Sequence, residues 1–393
     1  MDMQRDVDVA IVGAGPAGLC LARSLAGAGL SIALLERQAL PALREAAFDG
    51  REIALSHTSR RILEELDIWS RIDAADISLL RDARVLNGSS PFALDITAQD
   101  GRSEQLGWLV PNFLIRRAAF EAVAACDDVA LHAEVEVRGL RHLDDAVELQ
   151  LSDGKTLRAV LVVAADSRFS GTRKMLGIGA QMRDFGREMM VCRVEHELPH
   201  QHVAMEWFRY GQTLALLPLN GDRASVVLTL PGHEMQALQA LDDAALGQEF
   251  ERRFDGRMGK MQVIGSRHVY PLVGVYAEKF VGRRCALVGD AAVGMHPVTA
   301  HGFNLGLLGQ QRLAREVLAA HRAGRGPACP AALRRYERGH RMTARPLYLA
   351  TTLVAGMYGD ERPPARLARD AALRLAQHVT PFRRLIAAHL TRG

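Results

Sequence analysis

Three glycines near the start of the chain have the spacing that holds a dinucleotide phosphate. Gly13, Gly15 and Gly18 form a G-x-G-x-x-G sequence directly after the apolar stretch Val7–Val12. Gly13 permits a tight turn, Gly15 lets the backbone approach a pyrophosphate, and Gly18 permits close packing of a helix on a sheet. A helix beginning at Pro16 would direct its free N–H groups at the phosphate charge. The spacing therefore predicts a dinucleotide site, with a coincidental glycine turn as the alternative.

An acidic residue follows at the distance that such a site requires. Glu36 comes eighteen residues after Gly18, at the end of the apolar stretch 31–35, where its carboxylate can accept hydrogen bonds from a ribose. An acid at this position disfavours a 2′-phosphate, so the expected nucleotide is FAD or NAD rather than NADP. Ala17, within the glycine motif, and Arg37, next to the acid, belong to the same predicted site.

A βαβ unit must position these residues. A strand over 7–12, a helix over 16–28 and a strand over 31–35 complete it within about thirty residues. Further strands are predicted at 131–137, 147–151, 157–165 and 285–288, and antiparallel strands at 203–208, 213–217 and 224–230. Helices are predicted at 237–254 and 302–323, before a helix-rich segment over 331–390 with breaks at Pro346, Pro363, Pro364 and Pro381. Because strands suited to one sheet come from separated stretches, the dinucleotide domain should be discontinuous.

Composition and charge exclude several other classes of protein. Of the 393 residues 48% are hydrophobic and 24% charged, which is typical of a globular chain and argues against disorder. The 49 basic and 45 acidic residues leave a net charge of +4, which gives no support to nucleic-acid binding. The five cysteines lie far apart, without the spacing of a metal site, so we expect reduced thiols and no metal.

Targeting segments are not expected either. The structured pattern begins by Val7, which leaves no room for a signal peptide. The longest apolar stretches, such as residues 160–165, are far shorter than the roughly 18 residues that a membrane-spanning helix needs. The sequence therefore predicts a soluble, cytoplasmic protein.

Three further motifs follow the glycines in a fixed order. They are Arg51-Glu52-Ile53-Ala54-Leu55, then Ala165-Asp166-Ser167 with Arg173, then Gly289-Asp290-Ala291-Ala292, Pro297 and Gly302-Phe303-Asn304-Leu305-Gly306. Together with the glycine motif, this set resembles the group A flavoprotein aromatic hydroxylases, the para-hydroxybenzoate hydroxylase superfamily. Within that superfamily the chain is most similar to the ubiquinone-biosynthesis hydroxylases. The resemblance covers roughly residues 5–345 and is far more specific than the glycines alone.

The resemblance implies tight, non-covalent FAD binding. It implies that Asp290 bonds a ribitol hydroxyl and that the helix beginning near Gly302 directs its positive end at the flavin N1–C2 carbonyl. Gly302 and Asn304 would supply backbone contacts there. Pro297, Phe303 and Asp166 belong to the same implied cofactor set.

Two arginines are ambiguous. The resemblance implies that Arg51 lies near the pyrophosphate and Arg117 near the path from adenosine to ribitol. The alternative for each is a solvated surface charge.

The chain departs from the family pattern at several positions. Ser167 replaces the glycine of an Asp-Gly pair, Val293 replaces a histidine, and Ala300-His301 replaces Gly-Gln. His301 is the one candidate catalytic residue, as a titratable group that relays a proton beside the flavin. The alternative, which the sequence favours, is a loop histidine that caps the helix or bonds a carbonyl.

Aromatic side chains on the antiparallel strands raise a similar choice. Trp207, Phe208 and Tyr210 either pack in the core or belong to the part of the sheet that forms a roof over the flavin in the family. These strands are mostly apolar, which favours a prenylated phenol or quinol over a small benzoate. A basic C-terminal segment could rest on an anionic membrane at its inner face or cap the domain; it carries Arg366, Arg369, Arg374, Arg383, Arg384 and Arg392.

The function that the resemblance implies is an FAD-dependent monooxygenase that hydroxylates a ubiquinone-precursor phenol or quinol. The implied reaction uses NAD(P)H and O2 and passes through a flavin C4a-hydroperoxide. The sequence has no second glycine motif after a strand, so NAD(P)H should bind transiently. Membership of a ubiquinone-biosynthesis complex is a further implication. The alternatives are a related FAD-dependent reductase, halogenase or hydroxylase acting on another substrate, or a non-catalytic flavoprotein scaffold.

The implied fold class is α/β, with a Rossmann-like FAD-binding domain, an inserted and mostly antiparallel β substrate domain, and a helical C-terminal region. The FAD-binding domain is predicted from residues 1–75, 101–180 and 273–345. The substrate domain is predicted from 76–100 and 181–272, and the C-terminal helical region from 346–393.

Overall fold

The computed structural model describes residues 6–90, 93–209 and 211–359. Its strands are β1 (Val7–Val12), β2 (Ile32–Leu35), β3 (Glu52–Leu55), β4 (Ser78–Leu80), β5 (Asp82–Asn87), β6 (Ala93–Ile96), β7 (Gly107–Pro111), β8 (Val129–His132), β9 (Val137–His142), β10 (Val147–Leu151), β11 (Thr156–Ala164), β12 (Ala180–His196), β13 (Val203–Arg209), β14 (Gln212–Pro218), β15 (Arg223–Pro231), β16 (Met261–Ala277), β17 (Val281–Gly282), β18 (Cys285–Leu287) and β19 (Val293–Gly294). Its α-helices are α1 (Pro16–Leu25), α2 (Leu40–Arg44), α3 (His57–Glu65), α4 (Asn112–Ala124), α5 (Gly171–Met175), α6 (Gly232–Gln239), α7 (Asp243–Arg253), α8 (Gly302–Arg322) and α9 (Pro330–Gly359).

The first sheet has a parallel centre, in the order β18-β11-β1-β2-β8. Strand β1 is buried along nearly its whole length, as its unbroken apolar sequence predicts for a strand covered on both faces. Helices α1, α4 and α8 contribute to the core on one face, and the antiparallel pair β9–β10 covers the other. These strands come from separated parts of the chain, so the predicted discontinuity is confirmed.

The second sheet is mostly antiparallel, in the order β19-β16-β12-β15-β14-β13-β5-β6. Side chains of successive residues point to opposite faces. One face, here called the outer face, carries Met205 and Trp207 and packs on helices α6 and α7. The other, here called the inner face, carries Ala204, Glu206 and Phe208 on β13. Its apolar residues pack on the small antiparallel sheet β3-β7-β4.

The α/β class, the inserted antiparallel sheet and the helical C-terminal region are confirmed. Strands β5 and β6 join the large antiparallel sheet, as the assignment of 76–100 expects. The domain boundaries at particular residues stay a prediction. Residues 360–393, which include the six arginines of the basic segment, lie outside the described residues, as does Tyr210.

Three predicted elements are wrong in detail. The strand over 131–137 is two strands, because Glu134 adopts a left-handed turn with φ of 59° between β8 and β9. The helix over 237–254 is interrupted, and the side chain of Asp242 accepts a hydrogen bond from Ala245 N to cap α7. Pro346 does not break α9. Proline deprives the carbonyl of Met342 of its helical partner, but both residues lie on the exposed face, where water can replace that bond.

A buried ion pair joins the inner face to the small sheet. The guanidinium of Arg193 on β12 lies 2.7 Å from the Glu52 carboxylate on β3, whose side chain is fully buried. The same guanidinium lies over the ring of Phe48, 4.6 Å from its centroid. Because Glu52 has lost its hydration, it depends on this partner.

We expect Arg193→Ala to lower the free energy of unfolding by about 3 kcal/mol or more, since it leaves Glu52 buried without a counter-charge. Arg84→Ala is the matched control, because Arg84 pairs with Asp95 at 2.6 Å on the same sheet but both side chains are about half exposed. That control should cost less than about 1 kcal/mol. Denaturant unfolding curves measure both values. Equal losses in the two variants would show that the buried pair does not join the sheets.

Candidate active site

The glycine loop is held by contacts that leave no room for a side chain. Gly13 has a φ of 106°, and a Cβ added there would lie 2.6 Å from the carbonyl oxygen of Ala165 at the end of β11. A Cβ on Gly18 would lie 1.9 Å from the carbonyl oxygen of Gly13. Strand β1, helix α1 and strand β11 therefore meet in backbone contact. The predicted roles of Gly13 in the turn and of Gly18 in close packing agree with this geometry.

Two helix N-termini beside this loop face open space. Gly15 precedes α1, and a Cβ added to it would meet nothing within 4 Å; the same holds for Gly302, the first residue of α8. Neither helix has a side-chain cap at its N-terminus. Uncapped N–H groups and the positive end of a helix dipole bind anionic groups well.

Glu36 lies where β2 ends and is tied to the glycine loop. One carboxylate oxygen accepts a hydrogen bond from Ala14 N at 2.7 Å, and the other accepts one from Gln38 N at 2.9 Å. Both bonds hold the carboxylate at the edge of the sheet, and each oxygen retains a further lone pair for a hydroxyl. Arg37, which follows it, is exposed.

Asp290 lies beyond β18, on the other side of β1. Its carboxylate forms an ion pair with Arg168 at 3.0 Å. Gly289, which precedes it, has a φ of 58°, and a Cβ there would lie 2.8 Å from the Cβ of Ala17. Ala17 thus packs α1 closely against this loop.

These features fit FAD. Strands β2 and β18 are three strand spacings apart in the sheet, about 14 Å at the usual spacing of strands. An extended dinucleotide can therefore place one ribose at Glu36, its pyrophosphate at α1, its ribitol at Asp290 and its flavin ring at α8. Both open glycine positions, Gly15 and Gly302, lie on that route.

Asn304 holds the start of α8 in position. Its side-chain amide donates to the carbonyl oxygens of Ala54 at 2.8 Å and Ala300 at 3.1 Å, and its oxygen accepts from Ser56 N at 3.1 Å. The helix is thereby fastened to strand β3. Sequence reasoning predicted a backbone contact for Asn304; the buried side chain adds a positioning role. Phe303 is partly buried against the core.

The loop before α8 carries the two histidines of this region. His296 accepts from Val298 N at 3.2 Å, and burial together with the Arg187 charge lowers the pKa of His296 to about 4. Pro297 is exposed. His301 occupies the N-cap position of α8 and is buried, but its side chain makes no capping hydrogen bond. The capping role is therefore not supported, and a role in proton transfer stays a prediction.

The predicted arginines have local partners. Arg51 pairs with Asp49 at 2.6 Å and lies over the ring of Tyr270. Burial raises the pKa of Asp49, but the Arg51 charge and the hydrogen bonds that Asp49 accepts lower it by more. The pKa of Asp49 is therefore below its ordinary value. Arg117 lies 4.0 Å from Glu121 on its own helix. Its neighbour Arg116 donates to Gln38 at 3.4 Å, close to Glu36.

Asp166 organises its own segment. Its carboxylate accepts hydrogen bonds from the Ser170 hydroxyl and from Thr172 N at the start of α5. Arg173, which is almost completely buried, donates to the carbonyl oxygens of Arg168 at 3.2 Å and Ala291 at 2.9 Å. This segment therefore supports Arg168, the partner of Asp290. Direct contact between Asp166 and a cofactor stays a prediction.

The aromatic residues of β13 divide between the two faces of the sheet. Trp207 packs in the core on the outer face, where its indole N–H donates to the carbonyl oxygen of Gly88 at 2.9 Å. Phe208 is buried on the inner face, the position expected of a roof. The core alternative is therefore confirmed for Trp207, and a position of Phe208 over the flavin stays a prediction.

Sequence reasoning missed Glu206, the acidic residue that directly precedes Trp207 on β13. It lies on the inner face and is partly buried among apolar side chains. Burial raises the pKa of Glu206 to about 8. The signal was present in the sequence VAMEWF, where a lone acid interrupts an otherwise apolar strand.

A pair of glycine variants tests the predicted pyrophosphate position at the glycine loop. We expect Gly18→Ala to lower the Tm of the FAD-free protein, because its methyl group cannot fit beside the Gly13 carbonyl. Gly15→Ala should leave that Tm unchanged but weaken FAD binding about tenfold or more, because its methyl group enters the space of the pyrophosphate. Melting curves and flavin titrations measure the two effects. Wild-type FAD affinity in Gly15→Ala would exclude this pyrophosphate position.

Comparison with known proteins agrees with this geometry. A family model described as an FAD binding domain matches residues 6–348. The chain is 43% identical to the ubiquinone hydroxylase UbiM of Neisseria meningitidis, over 98% of this chain and 84% of that protein. It is 35% identical to the ubiquinone hydroxylase UbiL of Rhodospirillum rubrum, over 97% and 89%.

Solved structures share the fold. Pseudomonas putida p-nitrophenol 4-monooxygenase PnpA superimposes with a TM-score of 0.80 and 18% identity, over 99% of each chain. Pseudomonas aeruginosa PqsL, in complex with 2-aminobenzoylacetate, gives a TM-score of 0.77 and 21% identity, over 94% of this chain and 99% of that one. From the matched family model and the two ubiquinone hydroxylases, the chain belongs to the FAD-dependent aromatic hydroxylases, and FAD is its cofactor.

Proposed function

We propose that this enzyme hydroxylates a ring carbon of a prenylated phenol or quinol that is a precursor of ubiquinone, using NAD(P)H and O2. The observation that carries the proposal is the identity, over nearly the whole chain, to two ubiquinone hydroxylases. FAD, once reduced by NAD(P)H, supplies the oxygen activation that no side chain can provide.

The chain's own residues bind, orient and exclude water. The N-terminus of α1 and the carboxylates of Glu36 and Asp290 hold the cofactor by its phosphates and hydroxyls. The N-terminus of α8, fastened by Asn304, stabilises negative charge on the reduced ring through its dipole. The inner face closes the opposite side with apolar residues, which keeps water from the reacting groups.

The inner face favours an uncharged, lipid-like substrate. One apolar cluster on this face contains Met189, Val191 and Leu272, with Val227 and Tyr270 packed on it. Burying about 100 Å² of a prenyl chain there would contribute about 2.5 kcal/mol.

A small benzoate is disfavoured by the charges of the same face. Arg193 is already paired with Glu52, and Arg187 donates to the carbonyl oxygen of Gly211. Glu206, whose pKa of about 8 keeps it mostly protonated at neutral pH, offers no counter-charge to a carboxylate. We therefore place a phenol or quinol, and not a benzoate, against this face.

We expect a phenol with two ortho isoprene units to be hydroxylated with a kcat/KM tens of times that of phenol, about the factor that 2.5 kcal/mol gives. 4-Hydroxybenzoate should react no faster than phenol. The measurement is NAD(P)H-dependent product formation by mass spectrometry, with hydrogen peroxide quantified to separate uncoupled oxidation. Equal efficiency on 4-hydroxybenzoate and the prenylated phenol would contradict the substrate class.

We also propose a peripheral membrane contact through α9. Within the described residues, none of the helices has the length and apolar character to cross a bilayer. Met342, Leu349 and Leu353 are 71%, 55% and 64% exposed, and their spacing places them in one stripe along α9. Arg338 and Arg345, also exposed, flank this stripe on the same side. Apolar side chains bordered by arginines suit the interface of an anionic membrane, where a prenylated substrate resides.

The double variant Leu349→Glu/Leu353→Glu should co-float with phosphatidylglycerol liposomes at least fivefold less than the wild type. Each change replaces an apolar side chain that the membrane would bury by a charge that an anionic surface repels. Leu198→Glu is the control, because Leu198 is an exposed leucine outside α9. Unchanged flotation of the double variant would exclude this stripe as the contact.

A further inference from the structure

Glu206 is a carboxyl group placed among apolar residues of the inner face. On its strand the neighbours on that face are Ala204 and Phe208, and the residues paired with it are Val85 on β5 and Ala215 on β14. Across the part of the chain that the structure describes, its carboxyl has no hydrogen bond or ion pair. Polar groups in apolar surroundings are nearly always hydrogen-bonded when their role is structural, so the missing hydrogen bond points to another role for this carboxyl group.

The position of Glu206 is between two apolar clusters of the inner face. On one side Val85 and Ala204 belong to the cluster that packs on strands β3 and β7. On the other side Val227 belongs to the cluster of Met189 and Phe185. Phe185 contacts His296 in the loop before α8, with ring centroids 4.7 Å apart. Glu206 therefore faces the space enclosed by the sheet, the small sheet and the start of α8.

Among the described residues, no charged side chain lies beside Glu206 on the inner face. The charged residues next to it in the sheet, Arg84 and Arg209, point to the outer face, where Arg84 pairs with Asp95 and Arg209 bonds the carbonyl oxygen of Arg253. Among the described residues, the titratable groups elsewhere on the inner face, or on the elements packed against it, include Arg183, Arg187, Arg193, Glu195, His268 and Tyr270 of the sheet, Asp49, Arg51, Glu52 and His57 of the segments around β3, and His296 and His301 before α8. Burial is the sole cause of the raised Glu206 pKa.

We propose that Glu206 is a catalytic residue that removes the proton from the ring hydroxyl of the substrate. This inference rests on the proposed function, since it needs a phenol or quinol in that space. The O–H bond of the ring hydroxyl breaks, its electron pair stays on the oxygen, and the proton forms a new O–H bond on a Glu206 carboxylate oxygen. The resulting phenolate has more electron density at its ortho and para carbons, which are then more reactive toward an oxygen electrophile.

The surroundings of Glu206 suit a base that works near neutrality. A side chain with a pKa of about 8 is mostly protonated at rest, so an apolar face can hold it without a counter-charge. Once ionised, it is a stronger base than an ordinary carboxylate. The wild-type kcat/KM should therefore rise with pH through pH 8 and level off about one pH unit above it.

Glu206→Gln keeps the size and removes the base. We expect it to bind FAD normally, to lose about a hundredfold in kcat/KM on the prenylated phenol and to lose the rise toward pH 8. Glu195→Gln is the matched control, since Glu195 is an exposed acid on β12. A kcat/KM within threefold of wild type and an unchanged pH profile in Glu206→Gln would overturn the proposal.

Stability measures the titration of Glu206 without any turnover. A protein that contains an acid whose pKa is raised on folding loses stability as the pH rises from the pKa of that acid in the unfolded chain, about 4.3, to its pKa in the folded protein. The Tm of Glu206→Gln should therefore rise relative to wild type between about pH 5 and about pH 8. A constant difference over this range would contradict an acid that titrates near neutrality.

Two further results separate the possible failures. If Glu206→Gln does not retain FAD, Glu206→Met replaces it, since it is similar in size and has no base, and an unchanged pH profile in that variant would overturn the proposal. If the wild type hydroxylates no phenol, the proposed function fails and the base assignment fails with it, whatever the titration of Glu206 shows. If the wild type turns over and both variants match it, the base assignment alone fails.

Discussion

The site depends on backbone contacts that close where three parallel strands end. A methyl group cannot be accommodated between Gly18 and the Gly13 carbonyl, or between Gly13 and Ala165. Gly289 makes a similar approach to Ala17. Segments from the beginning, middle and end of the first 300 residues are held together by these approaches. Their closeness places helix α1 against the sheet and leaves its N-terminus free to meet a phosphate.

The remaining parts of the site follow from that junction. Asn304 fastens α8 to β3, and Glu52 of the same strand pairs with Arg193 on the inner face. Strand β3 therefore connects the start of α8 to the sheet above it. This connection holds the walls of the enclosed space in position, and a ring can be oriented against them. The Arg193–Glu52 pair lies at the edge of this space, and within the described part of the chain Glu206 lies between two apolar clusters.

The residues whose roles are local in sequence were the most predictable. Gly13, Gly15, Gly18 and Glu36 belong to one βαβ unit, and the strand periodicity locates them without tertiary information. Asp290 and Asn304 required the family resemblance, because their partners Arg168 and Ala54 are more than a hundred residues away.

Other features depend on tertiary structure that periodicity does not contain. Pro346 lies within α9 because its side of the helix is exposed, and Glu134 ends a strand through a left-handed backbone. Alternation separated Trp207 from Phe208, but only the packing of α6 and α7 shows which face is the core. Glu206 had the appearance of an ordinary surface acid until the inner face was known.

The central claim is that this chain transfers an oxygen atom from O2 to the ring of a prenylated phenol or quinol. The most direct measurement is mass spectrometry of the product formed by the FAD-loaded enzyme with NAD(P)H under ¹⁸O₂. The account predicts one labelled oxygen in a new ring hydroxyl for each NAD(P)H consumed in coupled turnover. An unlabelled product, or NAD(P)H oxidation that yields only hydrogen peroxide with every prenylated phenol and quinol tested, would contradict it.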